Sequence, residues 1–134
     1  MKVFPGKQRI LCVDDSLDNS ELLSFILDDA GYEVETAQSM TEGLQLARKG
    51  KFKLYLVDLC LSDGSGFDLI EQIREFDRST PIGVCSAYVR ESVQEEAMRA
   101  GVQVFFSKPI DPDLFAETIA KIIASYEEIG TYTE

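Results

Sequence analysis

The stretch RILCVDDSLDN, Arg9 to Asn19, runs four apolar residues, Ile10 to Val13, directly into two adjacent carboxylates, Asp14 and Asp15. An apolar run this short, bounded by polar residues, reads as a buried strand. Two like charges at its end repel each other and call for a partner. The residues that follow change period: Leu22, Leu23, Ile26, Leu27 and Ala30 fall on one helical face, Asp18 and Glu21 offer a capping pair, and Gly31 provides a stop.

The same alternation of strand and helix continues along the chain. Glu33 to Ala37 alternates like an edge strand, and Ser39-Met40-Thr41-Glu42 has capping-box spacing ahead of a helix lined by Met40, Gly43, Leu44 and Ala47 and ended by Gly50. Leu54 to Val57 is a third strand, followed by a helical face of Leu69, Ile70, Ile73 and Phe76. Pro81 to Cys85 is a fourth strand, with Val93, Ala97 and Ala100 on a short polar helix stopped by Gly101. Gln103 to Phe106 is the fifth, and Asp111-Pro112 caps a last helix whose Phe115, Ile119, Ile122, Ile123 and Tyr126 face inward. Five such units, with near-continuous apolar strands, imply an α/β fold: a doubly wound parallel sheet covered by helices on both faces.

Bulk properties restrict what such a domain can bind. The 134 residues, 45% of them hydrophobic, fit one domain, 1–134, with a core over about residues 8–126. A formal charge of -11 opposes nucleic acid and anionic membrane surfaces and favours cationic ligands and basic partners. No apolar run approaches the roughly 18 residues of a spanning helix, and Met1 to Arg9 lacks the pattern of a signal peptide, so a cytoplasmic location is expected. With no histidine, Cys/His zinc sites and histidine acid–base catalysis are excluded, and Cys12, Cys60 and Cys85 read as buried reduced thiols.

Ligands of doubly wound sheets sit beyond the carboxyl ends of the strands, where strand order reverses. There the sequence places Asp14 and Asp15 after the first strand, Asp58 after the third, Ser86 after the fourth, and Lys108 with Pro109 after the fifth. Singly, these are ordinary capping and loop residues. Together they put three carboxylates within a few ångströms, an arrangement that needs a cation. Hard oxygen ligands open to solvent suit Mg2+.

This constellation, with Gly66 eight residues after Asp58, Ala87 after Ser86, and Phe105, resembles the receiver domain of two-component response regulators over about Gln8 to Tyr126. The resemblance implies a flavodoxin-like (βα)5 sheet of order 2-1-3-4-5. It also implies a phosphorylation-controlled switch rather than an enzyme, assisting its own phosphorylation and slow dephosphorylation. Asp58 would accept a phosphoryl group from a phosphohistidine on a sensor histidine kinase or histidine phosphotransfer protein. By the same likeness, Asp15, Asp58 and the Cys60 backbone carbonyl would hold Mg2+ directly, and Asp14 largely through water. Ser86 and Lys108 would contact the phosphoryl oxygens, the Lys108–Pro109 bond would be cis, and Phe105 would be the rotating aromatic. The fourth helix, fifth strand and fifth helix, including Tyr88 and Arg90 to Glu96, would form the face read by a downstream protein or a second copy.

The chain departs from the family pattern at Ser62, where proline is usual, and this is expected to loosen the loop after the third strand. Cys60 and Tyr88 stand where the family tunes the lifetime of its phosphorylated state. An aspartate-nucleophile phosphatase would want a second aspartate where Cys60 stands. A flavin or nucleotide module would want a phosphate-cradling loop in place of the acidic DDSLDN. A pseudo-receiver would keep the fold as a protein interaction module without phosphorylation. No effector domain is expected in these residues, which suit either a stand-alone relay or a receiver cut from a larger regulator.

Overall fold

Strands that are apolar along their whole length are buried on both sides, and they take the centre of the sheet. In the computed structural model, which describes residues 6–87 and 90–132 and not the side chains of 128–132, β1 (Arg9–Val13), β3 (Leu54–Val57) and β6 (Ile82–Ser86) are buried almost throughout. The alternating β2 (Glu33–Ala37) and the half-buried β7 (Val104–Ser107) form the edges. Between β3 and β6 lies a hairpin of two-residue strands, β4 (Cys60–Leu61) and β5 (Gly64–Ser65). The helices are α1 (Leu17–Asp29), α2 (Met40–Lys49), α3 (Gly66–Phe76), α4 (Glu91–Arg99) and α5 (Pro112–Tyr132).

The main sheet is parallel throughout, in the order β2-β1-β3-β6-β7, which is the expected 2-1-3-4-5 once the hairpin strands are set aside. Because side chains alternate across a strand, the sheet divides two cores. Leu11, Val13, Tyr55, Val57 and Val84 face a cluster with Leu69, Ile70 and Ile73 of α3 and Ala97 of α4. Ile10, Cys12, Leu54, Leu56 and Cys85 face Leu23 and Leu27 of α1 and Phe115, Ile119 and Ile123 of α5. Phe115 meets Phe106 edge-on, with ring centroids 4.7 Å apart.

Several local expectations hold. Ser39 accepts from the Glu42 N–H at the start of α2, and Asp111 accepts from the Asp113 and Leu114 N–H groups ahead of α5. Gly31 and Gly101 lie just beyond α1 and α4 with φ of 98° and 97°, a conformation costly for any residue with a Cβ. Others are corrected. The N-cap of α1 is Ser16, which accepts from the Asn19 N–H, so Asp18 lies inside the first turn. Leu22, Ala30 and Phe76 turn outward rather than into the core. Phe76 instead lies under the Arg48 guanidinium, 5.4 Å from the ring centroid. Cys12 and Cys85 are buried free thiols, but Cys60 is exposed. Tyr88, expected on the output face, lies outside the described residues.

A polar network closes the amino-terminal end of the sheet. The Arg74 guanidinium donates to the carbonyls of Asp77 (3.0 Å), Thr80 (2.7 Å) and Gly101 (3.1 Å), and Gln103 Oε1 accepts from the Ile82 N–H at 2.7 Å. Asp77 accepts from the hydroxyls of Tyr55 (2.8 Å) and Thr80 (2.7 Å). Burial alone would raise the Asp77 pKa, but the hydrogen bonds from Thr80, Tyr55 and Ser79 outweigh it and hold it below the ordinary value.

Candidate functional site

The parallel topology brings the carboxyl ends of β1, β3, β6 and β7 to one end of the sheet, at the crevice where strand order reverses between β1 and β3. Asp14 follows β1 and is held by its main-chain N–H, which donates to Ala37 O at 3.0 Å. Its Oδ1 accepts from the Ser16 N–H at 2.9 Å, and the side chain is almost wholly buried. Asp58 follows β3, its N–H donating to Val13 O at 2.9 Å and its Oδ1 accepting from the Cys60 N–H at 3.2 Å. Asp15 is exposed at the mouth.

Oxygens of Asp14, Asp15 and Asp58 all lie within 4.8 Å of one another. Lys108 reaches in from the end of β7, its Nζ 2.9 Å from both Asp14 Oδ2 and Asp58 Oδ2. Burial would lower the lysine pKa, but the hydrogen bonds and charges of Asp14 and Asp58 overcome this and hold it above its usual value. Three carboxylates against one ammonium leave a formal charge of -2 at the mouth. An all-oxygen donor set with that residual charge, one member open to solvent, fits a hard divalent cation that keeps part of its water shell.

The remaining predicted residues fall around this centre. Ser86 ends β6 and is buried, and its carbonyl accepts from the Lys108 N–H at 2.9 Å, fixing the two strand ends to each other. The Lys108–Pro109 peptide is cis, as expected. Phe105 sits two residues before the end of β7, paired with Val84 and half-buried against the α3/α4-side core. Cys60 turns its thiol to solvent from β4. Gly66 opens α3 against the loop that begins at Asp58: a Cβ there would lie 2.2 Å from Asp58 O. Sequence reasoning missed Asp63, at the tip of the hairpin, whose carboxylate accepts from the Met40 N–H (2.6 Å), the Thr41 N–H (3.0 Å) and the Thr41 hydroxyl (2.8 Å). Its partners lie more than twenty residues away, so no local pattern reveals them.

Residues 10–120 match the family model of the response regulator receiver domain. The chain belongs to this receiver family. It is 31% identical over 116 residues to the chemotaxis protein CheY of Thermotoga maritima, covering 86% of this chain and 97% of that protein. It is 33% identical over 115 residues to the response regulator protein PilR of Pseudomonas aeruginosa, covering 86% of this chain but 26% of PilR, so it spans about a quarter of that relative's length. Among solved structures, a CheY-like receiver domain protein from Methanospirillum hungatei superposes with a TM-score of 0.87 at 28% identity, over 92% of this chain and 98% of the other. Receiver domains are phosphorylation-controlled switches of two-component signalling and generally bind Mg2+ at an acidic pocket; this chain has a cluster of three carboxylates, Asp14, Asp15 and Asp58. Among the described residues, no helix is long and apolar enough to cross a membrane.

Proposed function

We propose that residues 1–134 act as one receiver domain, core about 8–126, that takes a phosphoryl group from a partner phosphohistidine onto Asp58. The observation that carries this reading is Lys108 Nζ poised 2.9 Å from Asp58 Oδ2 within a three-carboxylate cluster. An Asp58 carboxylate oxygen attacks phosphorus; the O–P bond forms as the N–P bond to the donor imidazole breaks, and the departing nitrogen takes a proton from solvent. With no histidine in the chain, the donor comes from outside, a sensor histidine kinase or histidine phosphotransfer protein. Asp14, Asp15, Asp58 and the Cys60 carbonyl would hold Mg2+. When bound, that ion supplies positive charge to the phosphoryl oxygens.

Lys108 exchanges its contact with Asp58 for the arriving phosphoryl oxygens, neutralising charge as it develops. The Ser86 hydroxyl turns toward the same group, and the Phe105 ring fills the space it vacates. A packed interior makes that move two-state. The α4, β7 and α5 face changes with it and is read by a downstream protein or a second copy of the chain.

The test is acetyl phosphate with millimolar Mg2+, read by intact mass. One phosphate should add to the wild type, none to Asp58→Asn, and none in EDTA. An acid-stable phosphate on Asp58→Asn, or labelling unaffected by EDTA, refutes the assignment.

A further inference from the structure

We propose that Asp63 is a positioning residue for phosphoryl transfer, clamping the acceptor loop so that the Cys60 carbonyl is held at the cation site; the inference rests on Asp58 being the acceptor. The loop from Asp58 to Gly66 is a hairpin whose strands pair only Cys60 with Ser65 and Leu61 with Gly64. Its two turn residues are Ser62 and Asp63. Two-residue hairpins that match strand twist use turns with positive φ at one or both central residues, yet neither Ser62 nor Asp63 is among the described residues with positive φ. The turn therefore lacks the backbone geometry that favours such hairpins, and proline is absent at Ser62. The tip is held from outside.

Asp63 supplies that hold. Its two carboxylate oxygens take the first two N–H groups of α2 and the Thr41 hydroxyl, donors that Ser39, occupied with the Glu42 N–H, leaves unmet. Beside it, Gly64 lies so close to Met40 that a Cβ would come within 2.9 Å of the Met40 sulfur. The helix so gripped is fixed to the other half of the site, because Gly43 packs against Val13, the residue before Asp14, where a Cβ would come within 2.8 Å. Asp63 thus joins the loop bearing Asp58 and Cys60, through α2, to the strand bearing Asp14 and Asp15. The Asp58 N–H bond to Val13 O already fixes the spacing of Asp58 and Asp14; the clamp sets where the hairpin, and with it the Cys60 carbonyl, stands against them.

The experiment compares Asp63→Ala, Thr41→Val and Ser39→Ala with the wild type, full chain, in two readouts: thermal unfolding, and the Mg2+ concentration giving half-maximal acetyl phosphate labelling, with Mg2+ binding followed by the Cys60 and Asp58 amide resonances. Loss of a residue supporting a metal ligand weakens metal binding by about 10-fold. Asp63→Ala should raise half-saturation by that order while leaving the rate at saturating Mg2+ near wild type, and Thr41→Val should show part of the effect. Ser39→Ala removes the cap at the same helix end without touching the loop; it should lower thermal stability and leave half-saturation unchanged. A wild-type half-saturation in Asp63→Ala, or an equal rise in Ser39→Ala, overturns the proposal. Labelling of Asp58→Asn would instead overturn the acceptor assignment, so the two failures are distinguishable.

Discussion

Replacing Gly66 by alanine tests how tightly the proposed acceptor, Asp58, is built in. Alanine at the first position of α3 would gain up to about 1 kcal/mol of helix propensity over glycine, and since φ at Gly66 is not positive the backbone raises no objection. The added Cβ, however, would stand 2.2 Å from Asp58 O, 2.7 Å from Leu59 Cα and 2.9 Å from Asp58 C. To restore an ordinary contact of 3.4 Å the Asp58 main chain would have to retreat by about 1.2 Å, the difference between 3.4 and 2.2 Å. All three obstacles are backbone atoms, with no rotamer through which to yield. The strain of overpacking, about 3 kcal/mol, exceeds the propensity gain and leaves a net loss of about 2 kcal/mol, or roughly 6–10 °C in Tm for a chain of this size. The same displacement moves the Asp58 carboxylate off line, and a misplacement of about 1 Å costs on the order of 100-fold in rate. Urea unfolding followed by circular dichroism gives the first quantity. Labelling by acetyl phosphate, at a temperature where the variant is folded, gives the second. Gly43→Ala is the internal comparison, because the atoms nearest its Cβ belong to the Val13 side chain, at 2.8 and 3.0 Å, and it should cost less than Gly66→Ala. A Gly66→Ala protein with wild-type stability and labelling rate would refute the close-approach argument.

Three further outcomes are expected. In the native protein one thiol, Cys60, should react with iodoacetamide well before the others, since burial pushes Cys85 up to about 12 and raises Cys12 as well; mass mapping that finds all three modified at one rate would contradict this. Phe115→Ala should cost about 3–5 kcal/mol in urea unfolding, because it empties a fully buried ring site packed against Phe106. Asp77, its pKa held below the unfolded value of about 3.9, contributes stability that is present above that pH and lost as pH falls toward the folded pKa. Asp77→Asn should therefore be less stable than wild type at pH 7, with the gap narrowing below about pH 4; parallel stability curves would refute the linkage.

The sheet was legible because β1, β3 and β6 are unbroken apolar runs, and the site because Asp14, Asp15, Asp58 and Lys108 each stand at a strand end. Helix faces were less so. Around the start of α1, Ser16 and Asp18 are both good caps, and only the bond from the Asn19 N–H selects the serine. Leu22 and Ala30 fit an apolar stripe by period, yet α1 covers the sheet with a narrower face than the pattern offers. The Cys60–Ser65 hairpin is too short to show any period. Asp63, Arg74 and Gln103 act on partners brought near by the fold, and a polar residue gives no local sign of a distant carbonyl or N–H.

The Arg74 and Gln103 network gives the sheet the mechanics of a beam clamped at one end. Gln103 Oε1 takes the first N–H of β6, and Arg74 binds the carbonyls of Thr80 and Gly101 just ahead of β6 and β7. Ser86 and Lys108 lie at the far ends of these strands. Five residues of strand span about 17 Å, so a 1 Å displacement at the Ser86 end is a tilt of only about 3° at the clamp. That is small beside the 20–25° by which neighbouring strands are already rotated. Movement begun at the acidic end can therefore fade along the strands to almost nothing at the clamp, leaving the flanking helices to carry what remains sideways.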